Sequence, residues 1–244
     1  MLQQTQGIVL RSIKYGETSL ISTVFTKDFG VQSYIIKGVR TQKAKHQKAA
    51  LLQPASLIEM VVYNKPNQHI QYLREYQAAY LYQQIQEQVV VNSVALFSVE
   101  FLLRILPEHA PLPELFLFAY QFLELLDRSN INDVANFPLY FIAVCSKMLG
   151  YEVKGNYSEA TSYLNIIEGG FSEHTPLLGT AITNEQAHLL SCLLKIDSLQ
   201  ELKTVEMNAT TRHRLLEWYL AFLHHYCQHL GEIKSLSVLQ TVLH

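Results

Sequence analysis

The chain of 244 residues has little of what most catalytic and membrane architectures require. No apolar run approaches the roughly 18–20 residues that a membrane span needs, and the opening MLQQTQGIVLRS lacks the cationic stretch and apolar core of a secretory signal. Only three cysteines occur, Cys145, Cys192 and Cys227, with no CxxC pair among them. That excludes a disulfide framework and fits a reduced, cytoplasmic protein with buried thiols. There is no Walker-type phosphate loop, no GxSxG and no HExxH. Carboxylates stand singly rather than in acid/base pairs, so no catalytic residue, cofactor or metal site is assigned.

What is present is an uneven charge. The net charge of −2 conceals ten Lys/Arg against four Asp/Glu in residues 1–80, a net of +6, and nine against seventeen in the remainder, a net of −8. Such asymmetry points to a polyanion partner for the first part, or to two domains that attract one another.

The pattern of residues changes where the charge does. Residues Thr5–Ile13, Ser19–Thr26, Val31–Lys37, Ser56–Tyr63 and Ile70–Tyr76 read as five short strands parted by turns, with Gly16, Gly30 and Pro66 among the turn residues. Five antiparallel strands in about 75 residues suit an OB-type barrel, although an SH3-like barrel leaves similar marks. From Ala78 on, apolar residues recur at three and four. Helices are expected at Ala78–Val90, Asn92–Leu106, Leu112–Asp127, Asn132–Leu149, Asn184–Lys195 and Thr210–His229. The glycine-bearing stretch of about 150–182, with a strand-like Tyr163–Ile167, is an irregular insert, and Ile233–Leu243 could be a last turn or an extended tail. The expected fold is therefore α+β and multidomain. An OB-like barrel over residues 1–78 precedes an all-α helical domain with an irregular insert over 79–244.

The richest chemistry lies in Lys37–Lys48, which holds five cations and no acid. Lysines and arginines on a loop can follow a phosphate backbone and release its counterions. Arg11, Lys14, Lys37, Arg40, Lys43, Lys45 and Lys48 are the candidate DNA contacts, with Tyr34 as an aromatic that could stack on a base. The bland alternative is a solvated loop. His225 and His229 are four apart, which on one helix would share a face, but aromatic packing explains them better than zinc. The stripe Trp218, Tyr219, Phe222 and Tyr226 reads as core.

These segments resemble the RecO family. Its N-terminal pattern appears in order as Gly7–Arg11, Tyr15–Ser19, Phe25 and Thr26 with Gly30, Lys37–Arg40, and Leu52–Pro54. Further on, Leu149–Tyr151 is similar to its Leu-Gly-Tyr, Glu168–Phe171 to its Glu-Gly-Gly-Phe turn, and Lys234–Leu236 lies in a tail similar to its Lys-Ser ending. Many relatives carry a four-cysteine zinc module between the Leu-Gly-Tyr and Glu-Gly-Gly motifs; here that insert contains no cysteine, and no zinc is assigned. The resemblance implies a non-catalytic DNA repair and recombination mediator, cytoplasmic and nucleoid-associated. It would bind single- and double-stranded DNA, anneal complementary strands, and help load RecA with the partner RecR. It would also engage the acidic, apolar-ended tail of the single-stranded-DNA-binding protein. For that tail Arg104, Arg128 and Lys147 are the candidate cations of the helical body. The alternative is a scaffold whose basic barrel docks on acidic protein surfaces without binding DNA.

Overall fold

The computed structural model describes residues 2–39, 46–65, 68–177 and 182–243, and the backbone alone of 46–47. The chain divides into two compact units, residues 1–128 and 129–244.

The first unit is built on a closed barrel of five strands, β1 (Leu2–Tyr15), β2 (Ser19–Thr26), β3 (Gly30–Ile36), β4 (Leu57–Tyr63) and β5 (Ile70–Ala78), in the order β1-β2-β3-β5-β4. All pairings are antiparallel except β3 with β5. This is the OB arrangement that the strand count suggested. Strand β1 is long enough to serve two neighbours: Leu2–Ile8 pairs with β4 and Gly7–Tyr15 with β2, with a bulge between Val9 and Arg11. A bulge bends a strand and so lets it turn the barrel's corner. At the crossing sits Gly7, where an added Cβ would lie 2.5 Å from the Val24 side chain.

Alternation then decides the core. Val9, Val24, Tyr34, Ile36, Ile58, Met60, Val62 and Leu73 fill the interior, and Leu52 closes it. Leu52 follows the one-turn helix α1 (His46–Ala50), and its carbonyl accepts from Ser12 Oγ at 2.6 Å. Two helices belong to the same unit, α2 (Val89–Ile105) and α3 (Pro113–Arg128). Phe116 of α3 meets Phe25 of β2 edge-on at 5.4 Å, and His109 N–H donates to the Val31 carbonyl at 3.1 Å. Gly30 has φ +67°, and a Cβ there would collide with the Ala110 backbone. Gly30→Ala is therefore expected to cost about 3 kcal/mol, from overpacking together with left-handed strain. Urea unfolding measures it; a loss below about 1 kcal/mol would contradict this packing.

The helix expected over Ala78–Val90 does not form: residues 79–88 run through bends and a turn without helix, and α2 begins at Val89. The reason lies far away in sequence. The buried carboxylate of Asp127 accepts from the backbone N–H groups of Gln83, Gln84 and Ile85 at 2.8–3.1 Å and from the Tyr80 hydroxyl at 3.2 Å. Tyr82 donates to the Ala55 carbonyl at 2.6 Å. Donors committed to a side chain 42–44 residues on shape the segment more strongly than helix propensity does.

The second unit contains α4 (Phe137–Met148), β6 (Tyr163–Asn165), β7 (Gly170–Ser172), α5 (Asn184–Leu194), α6 (Ala209–Tyr226) and α7 (Ser235–Val242). Residues 131–136, expected as the first turns of a helix, form a 3-10 turn before α4, and the tail left open between a turn and an extended segment is the two-turn α7. Trp218, Tyr219 and Phe222 are buried, with Trp218 stacked on Phe222 at 5.7 Å. Tyr226 ends the stripe half-exposed and donates to the Ile167 carbonyl at 3.0 Å. The insert holds its shape through ordinary hydrogen bonds. Asn165 Oδ1 accepts from Ile167 N–H, Asn165 Nδ2 donates to Glu168 at 3.0 Å, and Lys154 bonds Gly169 and Phe171 through its backbone at 2.9 Å each. Helix α6 stops at Tyr226, so His225 and His229 do not share a helix face. Among the described residues no three His, Cys, Asp or Glu side chains gather as a metal site.

Candidate nucleic-acid interface

Two positions on from any outward residue of a strand lies another on the same face. By that rule β3 has one inner set, Gln32, Tyr34 and Ile36, and one outer set, Ser33, Ile35 and then Lys37 just beyond its end. Lys37 is exposed, and its Nζ lies over the ring of Tyr72 at 5.2 Å from the centroid. The pairing of Ile35 with Tyr72 across β3 and β5 makes this possible. The Tyr72 hydroxyl raises the Lys37 pKa, so the ammonium remains charged throughout the neutral range.

Arg11 and Lys14 are exposed on β1, and Lys48 is exposed on α1. The Lys48 carbonyl accepts from the Tyr76 hydroxyl at 3.0 Å, which ties α1 to β5; burial pushes the Tyr76 pKa up to about 12, keeping that hydroxyl a donor. Arg11, Lys14, Lys37 and Lys48 make no ion pair among the described residues. Their charge is thus open to an outside anion. Arg40, Lys43 and Lys45 lie outside the described residues.

Tyr34 is corrected. It is fully buried in the barrel core, with its hydroxyl 3.5 Å from Gln32 Oε1 and its pKa pushed up by desolvation. No base can reach its ring in the folded barrel. The aromatic that stands beside the cations is Tyr72, 44% exposed. Its signal was in the sequence, because Ile70, Tyr72 and Arg74 occupy alternate positions of a strand whose other face carries Gln71 and Leu73. Arg74 and Lys65 are further exposed cations of the barrel, and Arg74 pairs with Glu75 at 3.2 Å.

The three candidate cations of the helical body have separate surroundings. Arg104, on α2, is half-buried and 4.0 Å from Glu100. Arg128, at the end of α3, lies over the Tyr80 ring at 5.2 Å, and its Nε donates to the Tyr80 hydroxyl at 3.1 Å. Lys147 pairs with Glu152 at 3.1 Å and lines a cavity of about 380 Å³ in the second unit, with Tyr140, Val144, Phe171, Leu194 and Lys195 among its walls. Arg104 and Arg128 are not among the residues lining that cavity. No helix among the described residues is long and apolar enough to cross a membrane.

Comparison with known families and proteins agrees along the whole chain. The family model described as recombination protein O, N terminal, matches residues 1–82, and that described as recombination protein O, C terminal, matches residues 86–237. The DNA repair protein RecO of Bacteroides fragilis is 31% identical over 98% of both chains. That of Phocaeicola vulgatus is 29% identical over 98% of both, and that of Christiangramia forsetii 26% over 99% of both.

Proposed function

Because the chain belongs to the RecO family, we propose that it is a non-catalytic mediator of DNA repair and homologous recombination. It binds single- and double-stranded DNA without reading sequence. The observation that carries this is the set of exposed cations, Arg11, Lys14, Lys37 and Lys48, which make no ion pair among the described residues, on a barrel where ten Lys/Arg stand against four Asp/Glu in residues 1–80. Such groups meet phosphates, which position a nucleic acid but carry no base information. Arg40, Lys43 and Lys45 extend the same chemistry. In this reading the barrel of residues 1–78 is the DNA-binding domain, and the acidic remainder turns toward proteins.

A protein that neutralises phosphates on two strands removes the repulsion that keeps them apart, which is the physical requirement for annealing. With RecR, the chain then helps load RecA onto DNA coated by the single-stranded-DNA-binding protein, in the cytoplasm at the nucleoid. For the acidic, apolar-ended tail of that coat protein the Lys147 cavity is the best-formed receptor among the three candidates. It combines aromatic and aliphatic walls with two ammonium groups, Lys147 and Lys195, beside which Glu152 and Asp197 also line the cavity, so the tail's carboxylate would displace Glu152 from Lys147.

The test is fluorescence anisotropy of labelled single-stranded and duplex oligonucleotides across a salt series. Arg11, Lys14, Lys37 and Lys48 alone predict a log–log slope of about −3 for single strands and about −4 for duplex, and further contacts from Arg40, Lys43 and Lys45 would steepen it. A barrel that docks on acidic protein surfaces instead would show no DNA binding even at low salt.

A further inference from the structure

The cavity of the second unit is built so that one of its two cations already holds a carboxylate. Helix α4 ends in a cap that turns the chain back on itself: Tyr151 N–H donates to the Ser146 carbonyl at 2.8 Å and Gly150 N–H to the Lys147 carbonyl at 3.0 Å. Gly150 supplies the left-handed backbone, φ +86°, that this reversal requires. The chain therefore returns beside the last turn of α4, and Glu152 pairs with Lys147 at 3.1 Å. Hydrogen bonds fix the far side of Glu152 as well. Val153 is buried, and Lys154 bonds Gly169 and Phe171 through its backbone at 2.9 Å each. The carboxylate thus projects from a backbone held on both sides.

Lys195 is placed differently. It follows α5 as its C-terminal cap, lines the same cavity, and makes no ion pair among the described residues, although Asp197 also lines the wall. The two ammonium groups are therefore unequal, one open and one held. An apolar side chain can enter between Val144, Phe171 and Leu194 without disturbing either. An acidic group reaches Lys147 only by taking the place of Glu152. Both members of that pair are largely exposed, 65% and 60% of their side chains, so the exchange takes place at a solvated rim. An ion pair buried in the protein interior would resist it strongly, whereas an exposed one yields at small cost.

We infer that Glu152 is an internal stand-in for the ligand's carboxylate: an autoinhibitory contact that lowers the cavity's affinity for acidic, apolar-ended peptides and is displaced when one binds. The inference rests on the reading of this cavity as a receptor for such a tail. A pair that served only to hold the end of α4 would have no need to face the cavity, yet both side chains line it. The contact also sets selectivity. A neutral apolar segment meets Lys147 already paired and gains no charge contact there. A segment that carries acids exchanges one carboxylate for another and adds a second contact at Lys195.

The experiment titrates the full chain against a fluorescently labelled peptide of several aspartates followed by leucine and a C-terminal phenylalanine with its carboxylate free. Wild type, Glu152→Gln, Lys147→Met and the double variant are compared at one low salt concentration. Glu152→Gln is expected to bind about three- to fivefold tighter than wild type, the size of one exposed ion pair no longer to be broken. Lys147→Met should bind more weakly than wild type. Adding Glu152→Gln to Lys147→Met should then change affinity by less than about 1.5-fold, because the cycle isolates what Glu152 does through Lys147. Both side chains are largely exposed, so the variants keep the fold. A Glu152→Gln variant that binds as wild type does, with Lys147→Met weakened, would overturn the inference and leave the receptor reading standing. A gain of undiminished size without Lys147 would mean that Glu152 repels the peptide directly, and would overturn it as well. Absence of binding by both wild type and Glu152→Gln would overturn the receptor reading and this contact with it.

Discussion

Asp127→Ala is expected to destabilise the N-terminal unit by about 3–4 kcal/mol, near the upper end of what single substitutions do. The carboxylate is 1% exposed and takes three backbone N–H groups from Gln83, Gln84 and Ile85 as well as the Tyr80 hydroxyl. Hydrogen bonds to a charged acceptor contribute about 1.5–3 kcal/mol each, and their removal leaves donors without a partner in a place water reaches poorly. The contributions are not additive, since one side chain makes them all. Asp127→Asn is the sharper probe because it preserves size. Its amide turns one acceptor into a donor facing backbone N–H groups, so a loss of at least about 2 kcal/mol is expected. Denaturant unfolding followed by tyrosine and tryptophan fluorescence measures both. A change under about 1 kcal/mol in either would mean that residues 79–88 are held by their side chains and not by this carboxylate.

The second large effect concerns binding. Reversing two barrel charges together, Arg11→Glu with Lys37→Glu, is expected to weaken DNA binding by about 100-fold at 0.1 M salt. Each phosphate contact is worth roughly tenfold there, from a slope of about −0.9 per contact. The loss should be the same for oligonucleotides of unrelated sequence, because these side chains meet the backbone. Both residues are exposed on the outer face, so stability should change little. Anisotropy titrations with two or three sequences check this. An affinity within a factor of three of wild type would remove these two cations from the interface.

Much of the barrel was legible because its strands are short, alternate in polarity and end at turn residues. Gly30 illustrates the link: a glycine in a polar turn marks both the positive φ and the close backbone approach that the structure shows. The cationic stretch was legible for the same reason, since a run without acids or apolar period has no core to enter. Tyr34 was hard to place because Val31–Lys37 mixes polar and apolar residues on both faces, Val31, Ser33 and Ile35 on one and Gln32, Tyr34 and Ile36 on the other, so alternation alone does not say which turns inward. Lys37 held that information, being on the same face as Ile35 and opposite to Tyr34. The expected helix over 78–90 failed for a different reason. Its donors are taken by Asp127, and nothing in the local sequence announces a partner 42–44 residues away.

In the proposed function, nucleic acid lies on the outer surface of the barrel. Ultraviolet cross-linking of the wild-type protein to a thymine-rich single strand, followed by mass spectrometry of the attached peptides, tests it most directly. Cross-links are expected on the peptides that carry Tyr72 and Lys37. Cross-links confined to residues 129–243, with none on the barrel, would contradict it.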